Sequence, residues 1–185
     1  MDLLFGYGSL MNEISARNTL KRPAVMFDAI LTGYVRNWSA REDVIVGKQS
    51  MAAAFLNITE AAGRYVNGVC FPVTPAEIAD MDTREKSYRR VDVAQSIAYP
   101  AHPLRSHEGV NGVPQGGGHI WTYIYARAPK SEAQVLEMYY AKVRDGCQAF
   151  GKEFYDAFLA TTEPVALPMV RGAYLFADAE QERHT

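Results

Sequence analysis

Cysteine is scarce in this 185-residue chain: Cys70 and Cys147 stand alone, with no C-x-x-C spacing. That removes dithiol and zinc-ribbon motifs. A single disulfide stays open, but two reduced thiols packed in a core are preferred. His102, His107 and His119 fit neither H-x-x-x-H nor H-E-x-x-H, so no metal is expected. An excess of one charge is lacking as well. Nineteen Lys and Arg face 21 Asp and Glu, for a net charge of −2 and a pI near 6.1. That balance gives no general attraction to nucleic acid or to anionic membranes. The basic run Arg84, Lys86, Arg89 and Arg90 reads as a solvated helix end. No apolar stretch approaches the roughly 20 residues that span a bilayer. Asp2 stands where a secretory leader would be basic, so a cytoplasmic protein is expected.

Nucleotide and nucleophile signatures are missing too, although the chain opens as if to supply one. Leu3-Leu4-Phe5 is a short apolar run, and Gly6-Tyr7-Gly8-Ser9-Leu10 follows it. Met11 stands where G-x-G-x-x-G needs its third glycine, no Gly-Lys-Ser/Thr follows, and Ser9 is not in a G-x-S-x-G turn. What remains is a strand ending in a turn of little bulk. Its glycines permit positive φ or a close approach of backbone to ligand. Its N–H groups can converge on an anion or on a polarised carbonyl oxygen. An ordinary tight turn is the competing reading.

Length and composition, 48% hydrophobic and 22% charged, suit one globular domain over residues 1–185. Strand patterns occur at 3–7, 27–38, 51–58, 65–73, 91–99 and 119–126. Thr74-Pro75-Ala76-Glu77 is a capping box that opens a helix. Ser131-Glu132-Ala133-Gln134 reads as a second, with Val135, Met138, Tyr139, Val143, Cys147, Phe150 and Phe154 following at helical spacing. Gly151 should kink or divide that helix, and a further helix is expected near Glu13–Leu20. Strands and helices do not alternate regularly, which favours α+β over a doubly wound sheet. The stretch from Pro100 to Gly118 is too long for a hairpin and reads as a surface loop or lid.

The helix opened by Thr74 carries the chemical signal. Ile78 and Met81 define its inner stripe, and the next position on that stripe is Glu85. A carboxylate on an apolar face is unusual, since Glu is seldom buried without a partner. Partial desolvation would raise its pKa and suit it to pass protons near neutral pH. Pairing with Arg84, Arg89 or Arg90 is the competing account.

Four stretches, in order, resemble the gamma-glutamylcyclotransferase-like family. They are Phe5-Gly6-Tyr7-Gly8-Ser9-Leu10; Ala29 to Trp38; Met81-Asp82-Thr83-Arg84-Glu85 with Tyr88-Arg89-Arg90-Val91; and Tyr139 to Cys147. The resemblance runs from residue 3 to about residue 160, and the tail from Thr161 carries no matching motif. It implies an α+β fold built as a small closed mixed β-barrel flanked by helices. It implies Glu85 as catalytic acid/base and a substrate pocket formed by Tyr7, Gly8, Ser9, Leu10, Tyr88 and Tyr139. By spacing alone Tyr139 belongs to the core. The implied reaction releases 5-oxoproline and a free amine from a small γ-glutamyl substrate, without cofactor. A γ-glutamyl hydrolase or acyltransferase, or a non-catalytic binding module on the same pocket, are the alternatives.

Overall fold

The computed structural model describes residues 1–100, 118–127 and 132–184. Most of the expected loop, with His102 and His107, lies outside them, as does Ser131.

Strand β1 (Asp2–Gly6) leads through a 3-10 turn (Ser9–Met11) into helix α1 (Glu13–Leu20). Two long strands follow, β2 (Phe27–Val46) and β3 (Gln49–Val73), and then helix α2 (Pro75–Arg84). Next come β4 (Tyr88–Asp92), β5 (Ile97–Ala98), β6 (Ile120–Tyr125) and β7 (Gln134–Leu136). The chain continues through α3 (Glu137–Ala149), α4 (Lys152–Ala160), β8 (Met169–Val170), β9 (Tyr174–Phe176) and α5 (Ala179–His184).

These strands form one mixed sheet in the order β4-β6-β1-β3-β2-β5, with β7 and β9 attached to β3 and β2. β1 lies at its centre, antiparallel to β3 and parallel to β6. This position between two strands explains the uninterrupted apolar run Leu3-Leu4-Phe5, all buried. The fold is α+β, as expected. Hydrogen bonding among the described residues leaves the ends of the strand path unjoined, and a barrel is compatible with that.

The stretches 51–58 and 65–73 belong to a single strand, β3, paired with β2 over nearly its whole length. Register shifts at Thr32/Tyr34 and Asn37/Ala40 bend the long hairpin and let it coil over the core. The buried Arg36 joins this hairpin to α4. Its guanidinium donates to Asn67 Oδ1 at 3.3 Å and Thr162 Oγ1 at 2.9 Å, and lies over the Phe158 ring.

Helix α2 starts as its sequence predicts. Thr74 Oγ1 accepts from Glu77 N, and Thr74 N donates to Glu77 Oε2 at 2.8 Å. The second capping box does not form a helix start. Gln134 and Val135 pair instead with Ala53 and Ala54 of β3, Leu136 pairs with Val170 of β8, and α3 begins only at Glu137. Sheet pairing has overridden a local helix signal. Gly151, at φ 103°, divides α3 from α4. Both cysteines are buried and unpaired.

Candidate active site

The turn after β1 is fixed from three sides. Thr122 Oγ1 donates to Phe5 O at 3.0 Å, Tyr7 hydroxyl donates to Tyr123 O at 2.6 Å, and Met11 N donates to Gly8 O at 3.0 Å. Neither Gly6 nor Gly8 adopts a positive φ. Close approach is the reason for glycine here. A Cβ on Gly8 would lie 3.2 Å from the Tyr139 hydroxyl and 3.6 Å from Leu56 Cβ. Tyr139 reaches this turn because Gly146, two helical turns along α3, lets the helix lie on the Met11–Asn12 backbone. A Cβ there would sit 2.7 Å from Asn12 N.

Glu85 caps the C-terminus of α2, its N–H donating to Met81 O at 2.8 Å. Ile78 and Met81 are buried beneath it, as the stripe requires. The Glu85 side chain is 16% exposed, and its Oε1 accepts from Arg84 Nε at 3.0 Å. Arg90 is occupied elsewhere, paired with Asp82 at 2.8 Å. The competing ion-pair reading is thus realised with Arg84, and the carboxylate still faces the cavity. Burial pushes the Glu85 pKa up, while the neighbouring Arg84 guanidinium opposes the shift.

Arg84 is the residue that sequence reasoning set aside as solvated. It is 3% exposed. Its Nη1 donates to Ser15 O and Thr19 Oγ1, each at 2.9 Å. Its Nη2 donates to Ser9 Oγ and Ser15 Oγ, each at 3.0 Å. One guanidinium therefore connects the glycine turn, α1 and the acid. The planar fork of arginine suits such divergent contacts.

Leu56 of β3 holds two pocket hydroxyls through its backbone. Tyr88 hydroxyl donates to Leu56 O, and Leu56 N donates to the Tyr139 hydroxyl, both at 3.3 Å. Tyr139 thereby keeps its own O–H available to a ligand, and Tyr88 keeps acceptor capacity. Burial raises both phenol pKa values, so both stay protonated at neutral pH.

Tyr7, Gly8, Ser9, Leu10, Glu85, Tyr88 and Tyr139, predicted from sequence, all line one cavity. Glu42, Arg84, Tyr123, Lys142, Tyr174, Phe176 and Gln181 line it as well. The last three come from the C-terminal segment. β9 pairs with the far end of β2, and Phe176 stacks on Phe55 with ring centroids 5.4 Å apart. Lys86, just after the acid, forms an ion pair with Asp178, which also caps α5 by accepting from Glu180 N and Gln181 N. Only the spacing of Tyr174 and Phe176 on one strand hinted at this wall.

Among the described residues, no group of three or more His, Cys, Asp or Glu is placed to hold a metal. No helix among them is long and apolar enough to cross a membrane.

Solved structures share the fold. YkqA from Bacillus subtilis superposes with a TM-score of 0.60 at 17% identity, covering 91% of this chain and 55% of its own. This chain thus spans about half of that protein. A gamma-glutamyl cyclotransferase gives a TM-score of 0.57 at 17% identity, covering 91% of this chain and 92% of its own. The Homo sapiens protein loc79017 gives 0.57 at 19% identity, covering 89% of each chain. Among curated proteins, none matches the chain. The family model described as "Gamma-glutamyl cyclotransferase, AIG2-like" matches residues 4–142, a span holding the glycine turn, Arg84, Glu85, Tyr88 and Tyr139. By that match, the chain belongs to the AIG2-like gamma-glutamyl cyclotransferase family.

Proposed function

We propose that the protein converts a small γ-glutamyl amide to 5-oxoproline and a free amine, with Glu85 as general acid/base and no cofactor. The observation that carries this reading is Glu85 itself. It is a largely buried carboxylate of raised pKa, facing the cavity that the Gly6–Leu10 turn also lines.

The substrate contains its own nucleophile. Its α-amine lies a few bonds from its γ-carbonyl, and closure gives a five-membered ring, so orientation supplies much of the rate. At neutral pH the amine enters as an ammonium. Glu85 accepts one proton, and the freed lone pair attacks the γ-carbon. The developing oxyanion, or the α-carboxylate, meets the N–H groups of the turn at Tyr7–Leu10. Glu85 then protonates the departing nitrogen as its bond to the γ-carbon breaks. The ring nitrogen gives up two protons in all, and the leaving amine gains two. Glu85 carries them in turn and ends as it began. Tyr139, with its O–H available, and Tyr88 orient the glutamyl group. Arg84 positions Ser9 and Glu85 without touching the reacting atoms. Residues 1–185 are read as one domain, because both ends contribute to the cavity.

The test is incubation of the purified protein with glutathione, γ-glutamyl dipeptides and γ-glutamyl amines, with chromatographic detection of 5-oxoproline. Absence of product from every compound removes the proposal. Free glutamate in place of 5-oxoproline would assign hydrolysis instead.

A further inference from the structure

The cavity contains a second carboxylate that the mechanism does not use. Glu42 lies on β2 between Ala40 and Val44, whose side chains share its face of the strand. Across the hairpin Ala40 and Glu42 pair with Phe55 and Ala53, and Val44 pairs with Phe176 on the other side. Ala40, Val44 and Ala53 are all fully buried. Glu42 is thus a single acid in an apolar file, 7% exposed, and its Oε1 has no hydrogen-bond partner. Arg84 compensates Glu85 through a direct contact, but no ion pair to Glu42 exists among the described residues. Leaving a buried carboxylate oxygen unmatched is costly. Burial pushes its pKa up, aided by the nearby Glu85 carboxylate, while the adjacent Ser87 hydroxyl and, less strongly, exposed Arg127 pull the other way.

The charges of the cavity are divided. Arg84 and Lys142 stand on the side of the glycine turn, from α2 and α3, and Ser9 is hydrogen-bonded to Arg84. Glu42 stands on β2, two residues before Val44, the partner of Phe176 in the C-terminal wall. A glutamyl α-carboxylate suits the cationic side. The amide nitrogen and its substituent then extend toward the acidic one. We propose that Glu42 selects the departing amine and favours one bearing a second positive charge, such as a diamine. This rests on the γ-glutamyl reading above. Glu42 is poorly suited to hold the reacting α-ammonium, because stabilising the protonated form would oppose attack.

A matched pair of substrates tests the assignment: the γ-glutamyl amide of a diamine, and that of an alkylamine of the same chain length. The expected result is that wild-type protein prefers the diamine amide in kcat/KM, and that Glu42→Gln lowers this preference ratio about tenfold or more. Glu42→Asp, which keeps the charge, should recover part of it. Calorimetric binding of the same two amides makes the comparison independently of turnover. Selective binding without 5-oxoproline would therefore sink the proposed reaction and leave this assignment standing. Equal handling of the two amides by wild type, or the same ratio in wild type and Glu42→Gln, overturns it. The second outcome is what an α-ammonium contact would give, since every substrate would suffer alike.

Discussion

Arg84 and Glu85 are consecutive in sequence and 3.0 Å apart from Nε to Oε1, yet they do different work in one wall. Both border the cavity, but Arg84 also reaches inward to Ser15 and Thr19 of α1. The end of α2 makes this possible, because the backbone leaves the helix between them. The acid is held by a group that is itself held by the fold.

Replacing Glu85 by Gln should lower kcat about 10²–10⁴-fold, the usual cost of losing a general acid/base. Wild-type kcat/KM should fall on the acid side as the carboxylate protonates. Burial raises its pKa, so this limb should lie above the ordinary value of 4.5. Stability runs in the opposite sense. A folded state that holds the Glu85 proton more tightly than the unfolded chain has the full benefit below the unfolded pKa, and loses it as pH rises through the folded one. Glu85→Gln should therefore be no less stable than wild type at neutral pH in a thermal melt. A variant with wild-type kcat would return Glu85 to a structural ion pair.

Arg84→Met should be far more damaging to the fold. It strands Glu85 and removes the donor to three hydroxyls and one carbonyl. A loss of about 3 kcal/mol is expected from urea unfolding, in line with breaking a buried pair from one side. KM should rise in the surviving folded protein, since Ser9 loses its anchor. Unfolding at the wild-type midpoint would show that the guanidinium is dispensable.

Gly8 offers a test of close approach. Gly8→Ala places a methyl 3.2 Å from a hydroxyl that is itself bonded to Leu56 N. About 1 kcal/mol of destabilisation is expected, and Gly8→Val should be worse and should weaken substrate binding. Removing the obstructing oxygen with Tyr139→Phe should make the Gly8→Ala penalty smaller in the double variant than in the single one. Strict additivity in melting experiments would point to some other cause. Ser9→Ala should raise KM through the Arg84 contact; an unchanged KM would leave only the Ser9 backbone in the site.

The C-terminal wall should govern affinity more than chemistry. Deleting residues 172–185, or making Phe176→Ala within the intact chain, should raise KM roughly tenfold and change kcat less. Discrimination between large and small departing amines should shrink at the same time. Unaltered KM across a γ-glutamyl panel would show that the segment only covers the sheet.

What the sequence disclosed were features carried by neighbouring residues. The glycine turn, the Thr74 capping box, the inward stripe ending at Glu85 and the break at Gly151 are each contained within a dozen positions. Arg84 was hidden because its partners, Ser9, Ser15 and Thr19, are 65 to 75 positions away. It looked like one more cation in a basic run. Glu42 was hidden in a strand longer than its apolar pattern, where a single acid resembles a solvent-facing residue. Ser131-Glu132-Ala133-Gln134 misled because the pairing that turns Gln134–Leu136 into a strand is made by Ala53 and Ala54 on one side and Met169 and Val170 on the other, which no local motif can reveal.

The central position of β1 bears on the order in which the molecule is made. The glycine turn leaves the ribosome before either neighbour of β1, so the strand before it has no partner at that moment. Its antiparallel neighbour spans residues 69–73, and its parallel neighbour includes Ile120 and Trp121. The β2–β3 hairpin can close early, since its strands adjoin in sequence, whereas contacts over such long separations form slowly. The cavity wall from Tyr174 to Gln181 follows later still. During synthesis the apolar Leu3-Leu4-Phe5 segment must therefore wait uncovered, a vulnerable interval in which an unpaired strand is open to misassociation.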